Sequence, residues 1–287
     1  MRVVIVGAGF GGIGAAIELR RHGFSDITIL EAAPELGGTW LYNSYPGAAC
    51  DVPSHMYSFS FAQRRDWSRL CSPQQEILDY LRAVAAEHGI TRLIRFSQTV
   101  SACEFDEADQ CWRLGTESGE TYEAEAVILA LGQLNRPAIP RLPGGDAFTG
   151  HSFHSARWDH GYDLAGKRVA VVGTGASAVQ FVPEIAPHVA RLTVLQRTPN
   201  WLLPRRNHVY PLRVRALIGH VPGLQRLRRA LLFEFLEGLT MSIRHPRTVG
   251  RLTAARSARF MHSQLPDPDL RRRLWPDYTF GCKRVLF

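Results

Sequence analysis

Lysine is nearly missing from this chain. Lys167 and Lys283 are the only two among 34 basic residues, so arginine carries the positive charge. Cysteine is also sparse: Cys50, Cys71, Cys103, Cys111 and Cys282 are scattered and odd in number. None forms a CxxC pair, which argues against a disulfide framework and against a zinc site. A reducing cytoplasm is the compartment that this usage implies. Long apolar runs are absent as well; none reaches the roughly 18 residues of a membrane span. The longest uncharged stretch near the start, Val3 to Ile17, is broken by five glycines. It reads as strand, turn and helix rather than as a signal peptide.

The chain has 287 residues, 45% of them apolar. That is room for about two domains and a sizeable core. The net charge of +8 is uneven. Pro204 to Trp275 holds 15 arginines against the four acids Glu234, Glu237, Asp267 and Asp269, a local balance of +11 that leaves about −3 elsewhere. The block has little aromatic interleaving and no nucleic-acid motif, so it reads first as a solvated helical face. Contact with an anionic membrane surface or a phosphate-bearing cofactor is the second reading.

"RVVIVGAGFGGIGAAIELRRHG" opens on a buried-strand run, turns on Gly7, Gly9 and Gly12, and continues as a helix. "DITILE" is the next strand, and it ends on Glu31, 24 residues after Gly7. This is G-x-G-x-x-G between strand and helix, followed by an acid at ribose-binding distance. The first glycine allows the turn, the second a close approach to pyrophosphate, the third helix packing on the strand. The helix N-terminus then offers free N–H groups to phosphates.

A second unit repeats the pattern. "KRVAVVGTGASAVQFVPEI" is strand, glycine turn and helix, with Gly173, Gly175 and Ala178 at the three motif positions. Thr174, Ala176, Ser177 and Gln180 complete the candidate nucleotide-binding set there. At the place of Glu31 this unit has Gln196, followed by Arg197 and Thr198. A neutral residue followed by arginine suits a ribose bearing a 2′-phosphate. The first site therefore suits FAD and the second NADP. The fold expected is α/β: two dinucleotide-binding, Rossmann-like domains, the second with a helical insertion. Residues 1–140 form the first, 141–160 a linker, and 161–287 the second, with the insertion at about 204–275. Helices are expected at Pro73–Gly89, Val214–Ile218, Leu224–Ile243 and Thr248–His262, and a buried strand at Ala126–Leu131.

Two segments between these motifs narrow the reading. Gly37-Gly38-Thr39-Trp40, then Tyr45-Pro46-Gly47, then Asp51 resemble the stretch after the FAD fingerprint in Baeyer–Villiger monooxygenases. Phe148-Thr149-Gly150-His151-Ser152-Phe153-His154-Ser155-Ala156-Arg157-Trp158-Asp159 matches that family's F-x-G-x-x-x-H-x-x-x-W-[P/D] signature. The resemblance implies an FAD- and NADPH-dependent monooxygenase. NADPH reduces the flavin, oxygen gives a C4a-peroxyflavin, and a ketone or aldehyde becomes an ester or lactone; sulfides are also oxidised. Its near neighbour is a flavin N- or S-oxygenating enzyme. A thiol-disulfide flavoreductase is set aside, because no redox-spaced cysteine pair follows the first fingerprint.

The same resemblance assigns roles. Arg284, in Gly281-Cys282-Lys283-Arg284, is the active-site cation, and Asp51 holds and tunes it. Lys283, with Arg197 and Thr198, meets the NADP 2′-phosphate. Gly38, Thr39, Trp40, Tyr45, Tyr57 and Val100 join the flavin side, where Trp40 and Tyr57 also suit a plain core. His154 is structural. No metal is implied. The family's chains run well beyond Phe287, so the expectation is a fragment, a split product or half of a two-chain enzyme. A catalytically silent nucleotide-binding remnant is the competing class. An uncovered sheet edge predicts self-association.

Overall fold

The computed structural model describes residues 1–287 apart from Arg206, Pro222, Arg284 and Phe287. The chain divides into two compact units, each discontinuous in sequence. Unit 1 takes Met1–Ser44 and Gln74–Asp159; unit 2 takes Tyr45–Pro73 and His160–Phe287.

Unit 1 is built on a parallel sheet. Its strands are β1 (Val3–Val6), β2 (Ile27–Leu30), β3 (Ile94–Arg95) and, later in the chain, β7 (Ala126–Leu129). Their order is β3-β2-β1-β7, with Val3 paired to Ile27 on one side and to Ala126 on the other. The β-branched run VVIV is buried at every position, as a strand covered on both faces requires. Helix α1 (Phe10–Arg21) buries Gly12, Ile13, Ala16 and Ile17. Ile5, Ile13, Ile29 and Leu30 are fully excluded from solvent, each worth about 1.5–3 kcal/mol. A short helix α2 (Thr39–Tyr42) follows. Helix α3 (Gln74–Glu87), where a helix is expected, buries a stripe of Ile77, Leu78, Leu81 and Val84. Strands β4 (Val100–Asp106), β5 (Cys111–Thr116) and β6 (Thr121–Ala124) form a separate antiparallel sheet.

The strand expected at Ala126–Leu131 is not buried. Leu129 is 62% exposed and Leu131 51%, because β7 is the outer strand of its sheet among the described residues.

Unit 2 opens its nucleotide motif with β8 (Arg168–Val172), α4 (Ala178–Ile185) and β9 (Arg191–Leu195). β8 and β9 pair in parallel, with Val172, Val194 and Leu195 exposed. Helices α5 (Leu212–His220), α6 (Leu224–Arg244), α7 (Val249–Gln264) and α8 (Pro268–Arg273) follow. Trp201, Leu203 and Phe280 form a core cluster, and Leu202 bridges Leu286 in parallel.

Segment 45–73 belongs by its bonds to unit 2, although sequence order alone puts it in the first domain. Ala49 bridges Pro73, and Arg69 bridges Val209, both antiparallel. Asn207 exchanges side-chain bonds of 2.9 Å with both the N–H and C=O of Cys71, and Arg205 donates to the Cys50 carbonyl. The arginine block is thus not only a solvated face. Its Arg205, Arg228 and Arg229 are half-buried and bond or pack within unit 2.

Candidate nucleotide-binding site

The strand order reverses beyond β1, between β1 and β7, and α/β sheets of this kind bind ligands at the carboxyl ends of the strands there. Gly7 to Gly12 occupy that place. Gly7 has φ +108°, donates its N–H to the Leu30 carbonyl at 2.8 Å, and would put a Cβ 2.5 Å from the Ala130 oxygen. A Cβ on Gly12 would lie 1.8 Å from the Gly7 oxygen. Gly9 caps α1 with no side-chain bond, and the first turn of the helix holds no acid. The positive end of α1 is therefore not neutralised by its own side chains.

Gly38, at φ +55°, returns the chain to this turn; its Cβ would lie 3.1 Å from the Gly9 Cα. The Gly37 N–H donates to the Ala8 carbonyl at 3.0 Å. The start of the aromatic segment is thereby fixed against the fingerprint. Thr39 and Trp40 open α2, Trp40 is buried, and Gln74 donates to its carbonyl.

Glu31 is buried at the end of β2. Its two oxygens accept from the Ala8 N–H at 2.6 Å and the Ala33 N–H at 2.9 Å. A carboxylate has about four lone-pair positions, so both oxygens keep capacity for ribose hydroxyls. Glycine turn, free helix end and oriented carboxylate fit a dinucleotide. Val100 packs on the cluster of Val4, Val6, Leu30, Leu114 and Ala124.

In the 148–159 signature, His154 Nδ1 accepts from the Ala156 N–H at 3.0 Å and caps a short 3-10 turn. His151 bonds Asp159 at 2.8 Å, and Phe153 meets Trp158 edge-on. Arg157 stacks 3.8 Å above the Tyr42 ring.

Unit 2 repeats the nucleotide turn with a looser fit. The Gly173 N–H donates to Leu195, and a Cβ on Gly175 would meet nothing within 4 Å. Thr174 is held by Gln196 and by Asn200, whose amide donates to the Thr174 carbonyl at 2.8 Å. Ala176 and Ser177 lead into α4, which Ala178 begins. Arg197 and Lys283 are exposed, Thr198 is half-buried, and the Lys283 ammonium lies 4.6 Å above Tyr278. Arg284 lies outside the described residues.

Gln180, on α4, turns toward segment 45–73, a strap over unit 2, rather than toward the glycine turn. Its Oε1 accepts from the Tyr45 hydroxyl at 3.1 Å and the Ala49 N–H at 3.2 Å, and its Nε2 donates to the Ala49 carbonyl at 3.0 Å. Tyr45 is buried with its ring edge-on to Phe181.

Asp51 and Tyr57 are half-buried on the strap. Burial pushes the flanking Cys50 thiol up to about 12 and the Cys71 thiol up to about 11, with the Asp51 charge adding to both. Thiols held this high are not thiolates at neutral pH, so they are poor nucleophiles.

His55 is fully buried, and burial with the nearby Arg228 charge holds its imidazole down at about 4, against an ordinary 6.5. Tyr210 lies edge-on at 5.8 Å. The unfolded chain therefore binds more protons than the folded one between these values, and stability falls as pH drops from 6.5 to 4. The full loss is on the order of 3 kcal/mol. Urea midpoints across that range should fall in the wild type and flatten in His55→Gln.

A family profile described as "Pyridine nucleotide-disulphide oxidoreductase" matches residues 4–218, three-quarters of the chain. The chain belongs to this family. Within it, the chain is 47% identical over 287 residues to a Baeyer-Villiger monooxygenase of Streptomyces coelicolor, covering 100% of this chain and 55% of that protein. It is 44% identical over 285 residues to a Baeyer-Villiger monooxygenase of Pseudomonas aeruginosa, covering 99% and 54%. Among solved structures, cyclohexanone monooxygenase from Rhodococcus sp. Phi1 bound to NADP+ superposes with a TM-score of 0.85 at 30% identity. That match covers 99% of this chain and 61% of the other. The chain thus spans about half the length of the curated relatives it matches.

The family's name carries a disulphide, but all five cysteines here are free. Among the described residues no group of His, Cys, Asp or Glu is arranged for a metal, and no helix is long and apolar enough to cross a membrane. Sequence reasoning missed Asn200, Asn207, Gln225 and Arg229. Their amides and guanidinium act on backbone far away in the chain, which no local motif announces.

Proposed function

We propose that this chain carries the FAD- and NADPH-binding parts of a Baeyer–Villiger type monooxygenase, which inserts one oxygen atom of O2 into a ketone or aldehyde. The observation that carries the reading is the paired nucleotide turns, the first at the sheet's switch point with Glu31 aimed back at it. FAD belongs to the turn of unit 1: α1 faces its pyrophosphate, Glu31 its ribose, and Gly38 leaves room for it. When bound, the flavin supplies the activation of oxygen. NADPH belongs to the turn of unit 2, with Arg197, Thr198 and Lys283 as the 2′-phosphate set. Arg284 is the cation that stabilises negative charge developing on oxygen, worth most where water is excluded. Asp51 is its carboxylate partner.

The exposed strand residues Leu129, Val172, Val194 and Leu195 favour one second reading: nucleotide binding without turnover unless a further polypeptide covers them. The purified chain should show a bound-flavin spectrum, oxidise NADPH, and form ester from a ketone. Arg284→Ala should stop ester formation and leave flavin reduction. Flavin binding with no NADPH oxidation would favour the second reading, and ester formation by Arg284→Ala would remove Arg284 from its role.

A further inference from the structure

The corner of unit 2 where α5 meets α6 is basic and apolar at once. From Leu212 to Phe233 the chain carries five arginines and no acid. Its apolar side chains are not all spent on the core. Ile218 is buried, but Leu212 is 77% exposed, Leu217 54%, Leu227 56% and Leu231 62%. Arg213 and His220 are exposed on α5 with the first two. On α6, Leu227 and Leu231 stand one turn apart on one face, next to the exposed Arg226.

A pocket of about 330 Å³ opens at this corner. Arg65 and Arg226 bring guanidinium groups to its wall, His220 brings an imidazole, and no acid lines it among the described residues. Arg65 comes from the strap and is held there, its Nη1 donating to the Gly219 carbonyl at 3.0 Å. His220 donates Nδ1–H to the Ala216 carbonyl at 2.7 Å, which leaves Nε2 uncommitted. Asp66, beside Arg65 in sequence, is taken up by Arg64 at 2.8 Å and Arg215 at 4.0 Å. Gly223, also in the wall, caps α6 without a side-chain bond, and the first turn of α6 holds no acid. The positive end of that helix adds to the field of the arginines.

We propose that this corner docks unit 2 on an anionic phospholipid surface, with a headgroup phosphate in the pocket and the exposed leucines beside it in the interfacial layer. Charge decides the occupant. A second copy meeting this face through a two-fold axis would set its arginines against the same arginines. An anionic leaflet supplies the opposite sign, and leucines beside cations are what interfacial binding uses. A soluble phosphate would use the pocket and leave the leucines in water. The inference concerns unit 2 alone and depends on neither nucleotide.

The test sediments the full chain with vesicles of phosphatidylcholine, alone or with about 30% phosphatidylglycerol. The chain should bind only the anionic vesicles and come off in about 0.5 M salt. Arg65→Ala and Arg226→Ala should each weaken partitioning about fivefold. Leu227→Ser combined with Leu231→Ser should weaken it about tenfold or more. These side chains are exposed, so the urea midpoints should stay at the wild-type value. Arg247→Ala is the control, because Arg247 is exposed beyond the far end of α6, whose length is about 30 Å. It should weaken partitioning less than twofold. Equal losses in Arg226→Ala and Arg247→Ala overturn the corner in favour of diffuse charge. Failure to bind anionic vesicles at low salt overturns the membrane as occupant. In that event, a dimer that the double leucine variant separates assigns the face to a second copy, and a monomer assigns it to a further polypeptide. Inorganic phosphate bound through Arg65 and Arg226 without vesicle binding overturns the docking and leaves a site for a soluble anion.

Discussion

Gly12→Ala should destabilise unit 1 by about 3 kcal/mol or more and abolish flavin binding. The new Cβ would lie 1.8 Å from the Gly7 oxygen, 3.0 Å from the Gly7 carbonyl carbon and 3.4 Å from Ile5 Cγ2. The first two are backbone atoms, so no rotamer change relieves the clash. Either α1 lifts from β1, uncovering Ile13, Ala16 and Ile17, or the Gly7 peptide turns and loses its bond to Leu30. Both outcomes spoil the phosphate cradle. Urea unfolding and FAD titration measure the two effects. Gly23→Ala is the control: φ is +89°, but nothing lies within 4 Å. It should cost about 1 kcal/mol of backbone strain and leave flavin affinity alone. A Gly12→Ala chain with a wild-type midpoint would falsify the close helix–turn contact.

The second large effect is expected at Gln180. Replacing it with leucine preserves bulk but leaves the Tyr45 hydroxyl and both backbone groups of Ala49 without their amide partner. Stranding buried polar groups costs about 1–3 kcal/mol each. With partial relaxation, a net loss of about 3 kcal/mol is expected. The same helix opens the second nucleotide turn, so NADPH affinity should fall along with the urea midpoint. Tyr45→Phe removes a single bond and should cost about 1 kcal/mol. Gly175→Ala is predicted to separate the two effects that Gln180→Leu combines. Its Cβ meets nothing, so stability stays within about 0.5 kcal/mol, while NADPH binding weakens if phosphate approaches that backbone. Titration and unfolding on the same three variants separate latch from cradle. Unchanged stability in Gln180→Leu would show that the strap stands without the latch.

Much of this architecture is legible in the sequence because it is local. A strand, a glycine turn and a helix lie within about 20 residues, and their spacing alone reports the close packing of helix on strand that the third glycine allows. Helix α3 was equally plain, since its apolar stripe repeats at 3.6 residues. Side-chain engagement was less plain. Gln180 belongs to the fingerprint by position, yet its amide is taken up by Tyr45 and Ala49, more than 130 residues away. Arginine enrichment from 204 to 275 reads as solvation, because composition does not separate Arg226, which is exposed, from Arg229, which grips three carbonyls.

By itself the sequence determined the two strand–glycine turn–helix units and their order, since each depends on residues close along the chain. Only the tertiary structure decided that the segment from Tyr45 to Pro73 joins the second unit. That choice is made by backbone pairing and by the amides of Gln180, Asn207 and Gln225 and the guanidinium of Arg229. Such bonds close long loops, and loop closure costs only slowly more as the loop lengthens. They leave no periodicity or spacing for a sequence to show.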